Sequence, residues 1–211
     1  MCRKIFLFFL LVSGYYVQAQ YAGYKLLVDA NDFKTKFAAV SQKTNTIKSD
    51  FVQEKELSML SEKIVSKGKF WFKRDNAVRM EYTSPFQYLM IINGGKIYVK
   101  DSQKENKISA KSNKLFEQIN KVMMDCVNGS ALSNPDFTIR FFEGSESYLA
   151  ELSPVNKNLK GLFKNINLIV GKKEYAVSRI EMHEPSGDNT VINYINREMN
   201  VNLPDALFAI N

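Results

Sequence analysis

Beyond the first twenty positions the sequence has one cysteine, Cys126, and the whole chain has one histidine, His183. A lone cysteine leaves no partner for an intrachain disulfide. One histidine and one cysteine cannot make an N/S-ligated metal site, and no D-x-D-x-D-G loop offers calcium an oxygen cage. G-x-S-x-G, the P-loop and G-x-G-x-x-G are all missing, so the usual nucleophile and nucleotide frames are excluded. Cys126 falls in the apolar string 122–127 and reads as a small buried hydrophobe, and His183 has no nucleophile beside it. Glu54 and Glu56 alternate with lysine, as on a solvated strand face. These absences predict a protein that is not an enzyme and needs no cofactor and no metal. No basic run exceeds two or three residues, so nucleic acid is a poor partner.

No apolar run reaches the roughly 20 residues of a membrane span. The N-terminus instead has the pattern of a secretory signal peptide over residues 1–19. Arg3 and Lys4 precede the apolar run 5–12, and Val17 and Ala19 supply the small residues before a cut at Gln20. The expected mature chain, 20–211, is therefore exported. Loss of Arg3 and Lys4 takes the net charge from +7 to +5, a modest attraction to anionic surfaces such as membrane head groups. With 45% hydrophobic and 24% charged residues it suits one domain with a real core and no linker.

A helix is predicted to begin near Asp29 or Asn31, with Phe33, Phe37 and Val40 on one face. Strand patterns then run to residue 110, with Asn93-Gly94-Gly95 as a hairpin turn. A second helix is expected over 112–128, with Leu115, Ile119, Val122, Met123 and Cys126 as its stripe and Gly129 as its stop. Strands return from 136 to 195, and the tail 201–208 follows. About eleven short strands with short connections imply antiparallel neighbours. One face of such a sheet meets water, and a large sheet curls. The two helices have only the concave face on which to bury their stripes. The expected fold is mainly β (α+β): an incomplete, strongly curved antiparallel β-barrel with helices lidding the concave face.

The chain is organised around Ser66 to Pro85. Phe70 and Phe72 alternate with charged residues and Trp71, and Arg74 continues their parity. Val78, Met80 and Tyr82 alternate with Ala77, Arg79 and Glu81. Phe70, Phe72, Val78, Met80 and Tyr82 are therefore placed on one oily face, as core or as cavity lining. Leu89, Ile91, Phe141 and Leu149 are further candidates whose parity is ambiguous.

In order along the chain, Ser49-Asp50-Phe51-Val52-Gln53, Gly68-Lys69-Phe70-Trp71-Phe72-Lys73-Arg74, residues 78–82 with Pro85, and Ile91-Ile92-Asn93-Gly94-Gly95-Lys96-Ile97-Tyr98 resemble motifs of the periplasmic lipoprotein carrier family usually called LolA. Residues 162–170 with Gly171 resemble a late family hairpin, and Leu207-Phe208 resembles its closing strand. The resemblance covers residues 29–208. It implies an oily cavity for the acyl chains of lipoproteins, which a monomeric carrier receives from an inner-membrane ABC transporter and hands to an outer-membrane acceptor. It further implies that Arg74 latches the lid through hydrogen bonds to lid backbone groups. The sequence departs from the family at Asp75, where proline is usual and where a carboxylate can weaken a latch, and at Met80, where tryptophan is frequent. An extracytoplasmic lipid- or peptide-sensing regulatory domain on the same fold is the alternative. Two or three acyl chains moved from water would bring on the order of 25 to 35 kcal/mol at about 0.8 kcal/mol per methylene. A lid that buries the same oily surface in the empty state would offset this and permit release.

Overall fold

The computed structural model describes residues 21–60, 62–74, 77–101, 105–109, 121–122, 124–126 and 129–210. The expected signal segment, Asp75, and Leu115, Ile119 and Met123 of the second helix lie outside the described residues.

Helix α1 (Asn31–Lys43) follows a two-residue strand β1 (Lys25–Leu26). Asp29 accepts a hydrogen bond from the first helical N–H, that of Asn31, at 2.9 Å, and so satisfies one of the amides the helix leaves unpaired. A meander then runs through β2 (Thr46–Glu56), β3 (Lys63–Lys73), β4 (Ala77–Ser84), β5 (Tyr88–Asn93), β6 (Lys96–Asp101) and β7 (Glu105–Ser109). A second meander comprises β8 (Phe137–Glu143), β9 (Ser147–Pro154), β10 (Asn165–Gly171), β11 (Val177–His183) and β12 (Asn189–Met199). Between them, residues 121–122 and 124–126 are helical. In the β5–β6 hairpin Gly94 and Gly95 both take positive φ, 55° and 75°, the backbone that a two-residue turn of this hand requires.

The twelve strands of the described residues form one antiparallel sheet in the order β1-β8-β9-β10-β11-β12-β2-β3-β4-β5-β6-β7. The long β12–β2 ladder joins the two meanders. β7 and β1 are its two edges, so the barrel is not closed. The tail was expected to end in a strand. It forms a short 3-10 turn instead, Asp205–Phe208, because Leu203 and Phe208 bury themselves on the outer face beside Ala77.

The register carries one apolar row across the sheet. Phe141 pairs with Ala150, Ala150 with Leu168, Leu168 with Ile180, and Ile180 with Ile192. The same face continues through Phe51 and Phe70 to Met80, Met90 and Val99. Phe33 of α1 meets the ring of Phe141 on β8 at 5.8 Å, while residues near Ser41 reach the end of β3. From Phe33 to Ser41 a helix rises about 12 Å. Six strand spacings separate β8 from β3, about 29 Å in a flat sheet. The helix is therefore a chord across a curved sheet, and its apolar stripe fills the concave side.

Candidate functional site

Phe70, Phe72, Val78 and Met80 all sit on this concave face, each exposing 3% or less of its surface. The ladder pairs Phe70 with Met80 and Phe72 with Val78, so the two strands supply one continuous floor. Phe51 completes it from β2, its ring lying over Gly68. A Cβ at Gly68 would stand 2.7 Å from that ring and 2.2 Å from the Glu81 carbonyl oxygen, so the ring requires glycine there. Tyr82 packs edge-on to Phe51 and Tyr88, and its hydroxyl donates to Gln53 Oε1 at 3.0 Å. Burial pushes the Tyr82 hydroxyl up to about 12, with Tyr88 adding to the rise, so the phenol stays neutral.

Phe141 shares this face in the other half of the sheet, against Phe33. Leu89, Ile91 and Leu149 do not. Ile91 stands opposite Arg79 and Leu89 opposite Glu81, on the outer face, and Leu149 stands opposite Phe142 on that same side. The reason is that both faces are covered here. The C-terminal segment lies over β4 and β5, where Arg79 Nη1 donates to the Leu207 carbonyl at 3.3 Å and Asn93 Nδ2 to that of Phe208 at 3.0 Å. Tyr21 lies over the other patch, edge-on to Phe142 at 5.3 Å. An apolar run such as Tyr88 to Ile92 then has no polar alternation from which to read parity.

Two helical segments cover the floor. Phe33 and Phe37 of α1, with Val122 and Cys126, pack on the β8–β12 half. Met124 packs on the half that holds Phe70, Phe72, Val78 and Met80. Gly129, with φ 82°, lets the chain pass against α1: a Cβ there would meet Ser41 Oγ at 2.4 Å and the Phe37 ring at 2.7 Å. Burial raises the Cys126 thiol well above its ordinary range, which leaves it un-ionised.

Arg74 does not stand on the oily face. β3 ends at Lys73, so alternation no longer governs the next residue, and the Arg74 side chain is exposed. Its guanidinium reaches the C-terminal end of α1. Nη2 lies 2.8, 2.9 and 2.6 Å from the carbonyl oxygens of Ser41, Gln42 and Thr44, and Nε donates to Asn45 Oδ1 at 3.0 Å. The Arg74 N–H donates to the Asn45 carbonyl at 2.7 Å. The last carbonyls of a helix have no partner within it and carry the negative end of its dipole, so a cation with several donors suits them.

Between the last turns of α1 and the sheet lies a narrow pocket with a cavity volume of about 30 Å³. Phe37, Val40, Ser41 and Thr44 roof it, and Ile47, Phe70, Phe72 and Tyr194 floor it. Tyr194 and Arg197, which also lines it, were not anticipated from sequence. Tyr194 carried the signal of sharing parity with Ile192. Arg197 carried none, because β12 changes register between Ile195 and Glu198.

On the outer face His183 lies 3.8 Å from Glu181, and its Nδ1 is 2.7 Å from Asn189 Oδ1. Among the described residues no group of three His, Cys, Asp or Glu side chains could hold a metal ion. Among them, too, no helix is long and apolar enough to cross a membrane.

The profile of the family described as "Outer membrane lipoprotein carrier protein LolA" matches residues 42–211. A Methylococcus capsulatus protein described as an outer-membrane lipoprotein carrier protein is 24% identical over 166 residues, covering 79% of this chain and 77% of that one. An uncharacterized conserved protein from Thermus thermophilus, of known structure, superposes with a TM-score of 0.52 at 8% identity, over 82% of this chain and 91% of that one. A LolA superfamily protein from Nitrosomonas europaea gives 0.45 at 12% identity, over 87% and 99%. The match over residues 42–211 takes in the floor strands, Arg74 and β8 to β12, and the chain belongs to the LolA family of outer membrane lipoprotein carrier proteins.

Proposed function

We propose that this protein is a periplasmic carrier that shelters the acyl chains of lipoproteins on its concave face, takes them from an inner-membrane ABC transporter and delivers them to an outer-membrane acceptor. It acts as a monomer, exported with loss of residues 1–19, and performs no catalysis. The observation that carries this reading is the clamp of Arg74 on the end of α1, directly above the floor of Phe70 and Phe72.

The floor is already dry in this arrangement. Phe70 and Met80 are 2% and 1% exposed because the helical segments cover them. An acyl chain that displaces the lid therefore exchanges one apolar contact for another, and the net gain is far below the full transfer energy of the chain. The balance between lid and cargo is then set by a few polar contacts. A charge-assisted hydrogen bond contributes about 1.5 to 3 kcal/mol when shielded, and less for an exposed side chain such as Arg74. Several together can bias a two-state equilibrium by one or two orders of magnitude.

Reconstituted transfer from inner-membrane vesicles to an acceptor tests this. Arg74→Leu is expected to accumulate with lipoprotein bound and to pass little of it on. Normal transfer by that variant would remove the latch from the mechanism.

A further inference from the structure

The two ends of α1 are tied down differently. At its C-terminal end only Thr44 and Asn45 separate it from β2, a central strand of the sheet. Arg74 spans that joint, holding the carbonyls of Ser41, Gln42 and Thr44 and the side chain of Asn45. This end cannot leave the sheet, so a lid that opens has to lift its other end. There the chain comes from the outer face, crosses the open edge at β8 and enters α1. Along residues 21–30 only Ala30 is buried, and β1 is a two-residue strand on an edge. So few buried contacts mark a segment that opens locally at low cost. We infer that residues 21–30 are a releasable strap, anchored by the Tyr21 hydroxyl on Glu151, and that α1 opens by swinging its N-terminal end away from β8 about the Thr44–Asn45 joint. The inference rests on the carrier reading and adds to it the direction in which the lid moves.

The anchor is built to let go. The Tyr21 hydroxyl donates to Glu151 Oε2 at 2.5 Å and lies 3.1 Å from Asn167 Oδ1. Burial and the Glu151 carboxylate raise it well above its ordinary range, so it stays a donor. Its departure strands no group on the sheet. Glu151 Oε1 keeps Arg140 at 2.9 and 2.7 Å, and Asn167 Oδ1 keeps Asn165 at 2.9 Å. Water can take the place of the phenol on Oε2. Beyond Tyr21 the strap is held by the Tyr24 hydroxyl against Ser147 Oγ at 2.6 Å, by Lys25 and Leu26 opposite Glu143 and Phe142, and by the Leu27 N–H on the Phe141 carbonyl at 2.8 Å. Only Val28 to Ala30 separate that last bond from the helix, a reach of about 10 Å at full extension. Part of this reach carries the chain from the sheet edge to the concave face. A swing that uncovers the floor therefore takes the strap off β8.

Two measurements test the strap. In the first, Cys126, which packs with Phe33 and Phe37 under the moving end of α1, is labelled with a maleimide in the folded protein. Tyr21→Phe is expected to speed labelling about fivefold, the effect of one hydrogen bond. Ile91→Val, on the outer face of the other half, lowers stability by a comparable amount and is expected to leave the rate unchanged. Equal rates for Tyr21→Phe and Ile91→Val would overturn the anchor. In the second, Lys25→Cys with Glu143→Cys, a directly opposed pair within disulfide reach, locks the strap to β8 in a Cys126→Ala background. The oxidised protein is expected to take up 1-N-phenylnaphthylamine at least about tenfold more slowly than the same protein after reduction. Equal uptake in the two states would overturn the swing and leave the carrier reading intact. A protein that takes up no dye even when reduced loses the carrier reading, and the strap's role with it.

Discussion

Arg74 places Nη2 2.6 Å from the carbonyl oxygen of Thr44, the residue that closes α1, and donates its backbone N–H to Asn45 next to it. The strand that supplies half the floor is thus followed directly by the side chain that contacts the C-terminal end of α1. The Arg74 side chain is exposed, so breaking the contact costs it no apolar burial of its own. That is the property expected of a latch and not of a packing residue.

Cys126 offers a direct reading of the latch. It is the sole cysteine of residues 20–211, 1% exposed, and packs in one cluster with Phe33 and Phe37. A thiol so placed reacts only when the lid leaves. Arg74→Leu is expected to speed Cys126 modification by a maleimide on the order of tenfold, the factor that about 1.4 kcal/mol represents. Arg74→Lys keeps the charge at the helix end but loses the forked donors, and is expected to fall between the two. Unchanged rates in both variants would mean that Arg74 does not govern opening.

Gly68→Ala tests the floor from beneath. The added methyl meets a backbone carbonyl, that of Glu81, at 2.2 Å, and no rotamer relieves this. We expect a loss of more than about 2 kcal/mol in urea unfolding, within the range of severe overpacking. Phe51→Leu in the same chain removes the ring contact but not the carbonyl contact, so the double variant should recover little. A wild-type midpoint for Gly68→Ala would show that β3 and β4 can part without penalty.

The alternation of Phe70 and Phe72 with Val78, Met80 and Tyr82 was legible because the opposite face is charged. The curved sheet followed from strand count and connection length, and the lidding helices from having nowhere else to bury Phe33 and Phe37. Ile91 and Leu149 were not legible. A residue buried under a tail reads the same as one buried under a lid, and only the register separates them. Arg74 was read on the wrong face for a similar reason, since parity predicts nothing once the strand has ended. Tyr194 shares parity with Ile192 and could have been placed on this face, whereas Arg197 needed the bulge in β12, which no local signal marks.

The two faces make a prediction of their own. Met80→Ala and Leu149→Ala each truncate a nearly buried side chain, 1% and 3% exposed, and each should cost about 2 to 5 kcal/mol of stability. Only Met80 faces the lid. Binding of 1-N-phenylnaphthylamine under conditions where both variants remain folded is expected to change for Met80→Ala and to match the wild type for Leu149→Ala. A matching change in Leu149→Ala would mean that the ligand uses the outer face.

The outer-face pair of His183 and Glu181 predicts how stability follows pH. The Glu181 carboxylate 3.8 Å away raises the imidazole above its ordinary value, against the opposing effect of burial, and Asn189 adds to the rise. The imidazole in turn pulls Glu181 down to about 2, helped by Asn167 and Arg179. A raised histidine contributes stability that is complete below its unfolded value, near 6.5, and is lost as pH climbs through the folded one. A depressed carboxylate contributes stability present above its unfolded value, near 4.5, and lost as pH falls toward 2. The pair therefore stabilises most between roughly pH 4.5 and 6.5. The wild type should melt higher at pH 5.5 than at pH 8, and His183→Gln should remove most of that difference and shrink the decline toward low pH to the part that Asn167 and Arg179 sustain. A His183→Gln profile that still falls between pH 5.5 and 8 as the wild type does would assign that slope to other groups.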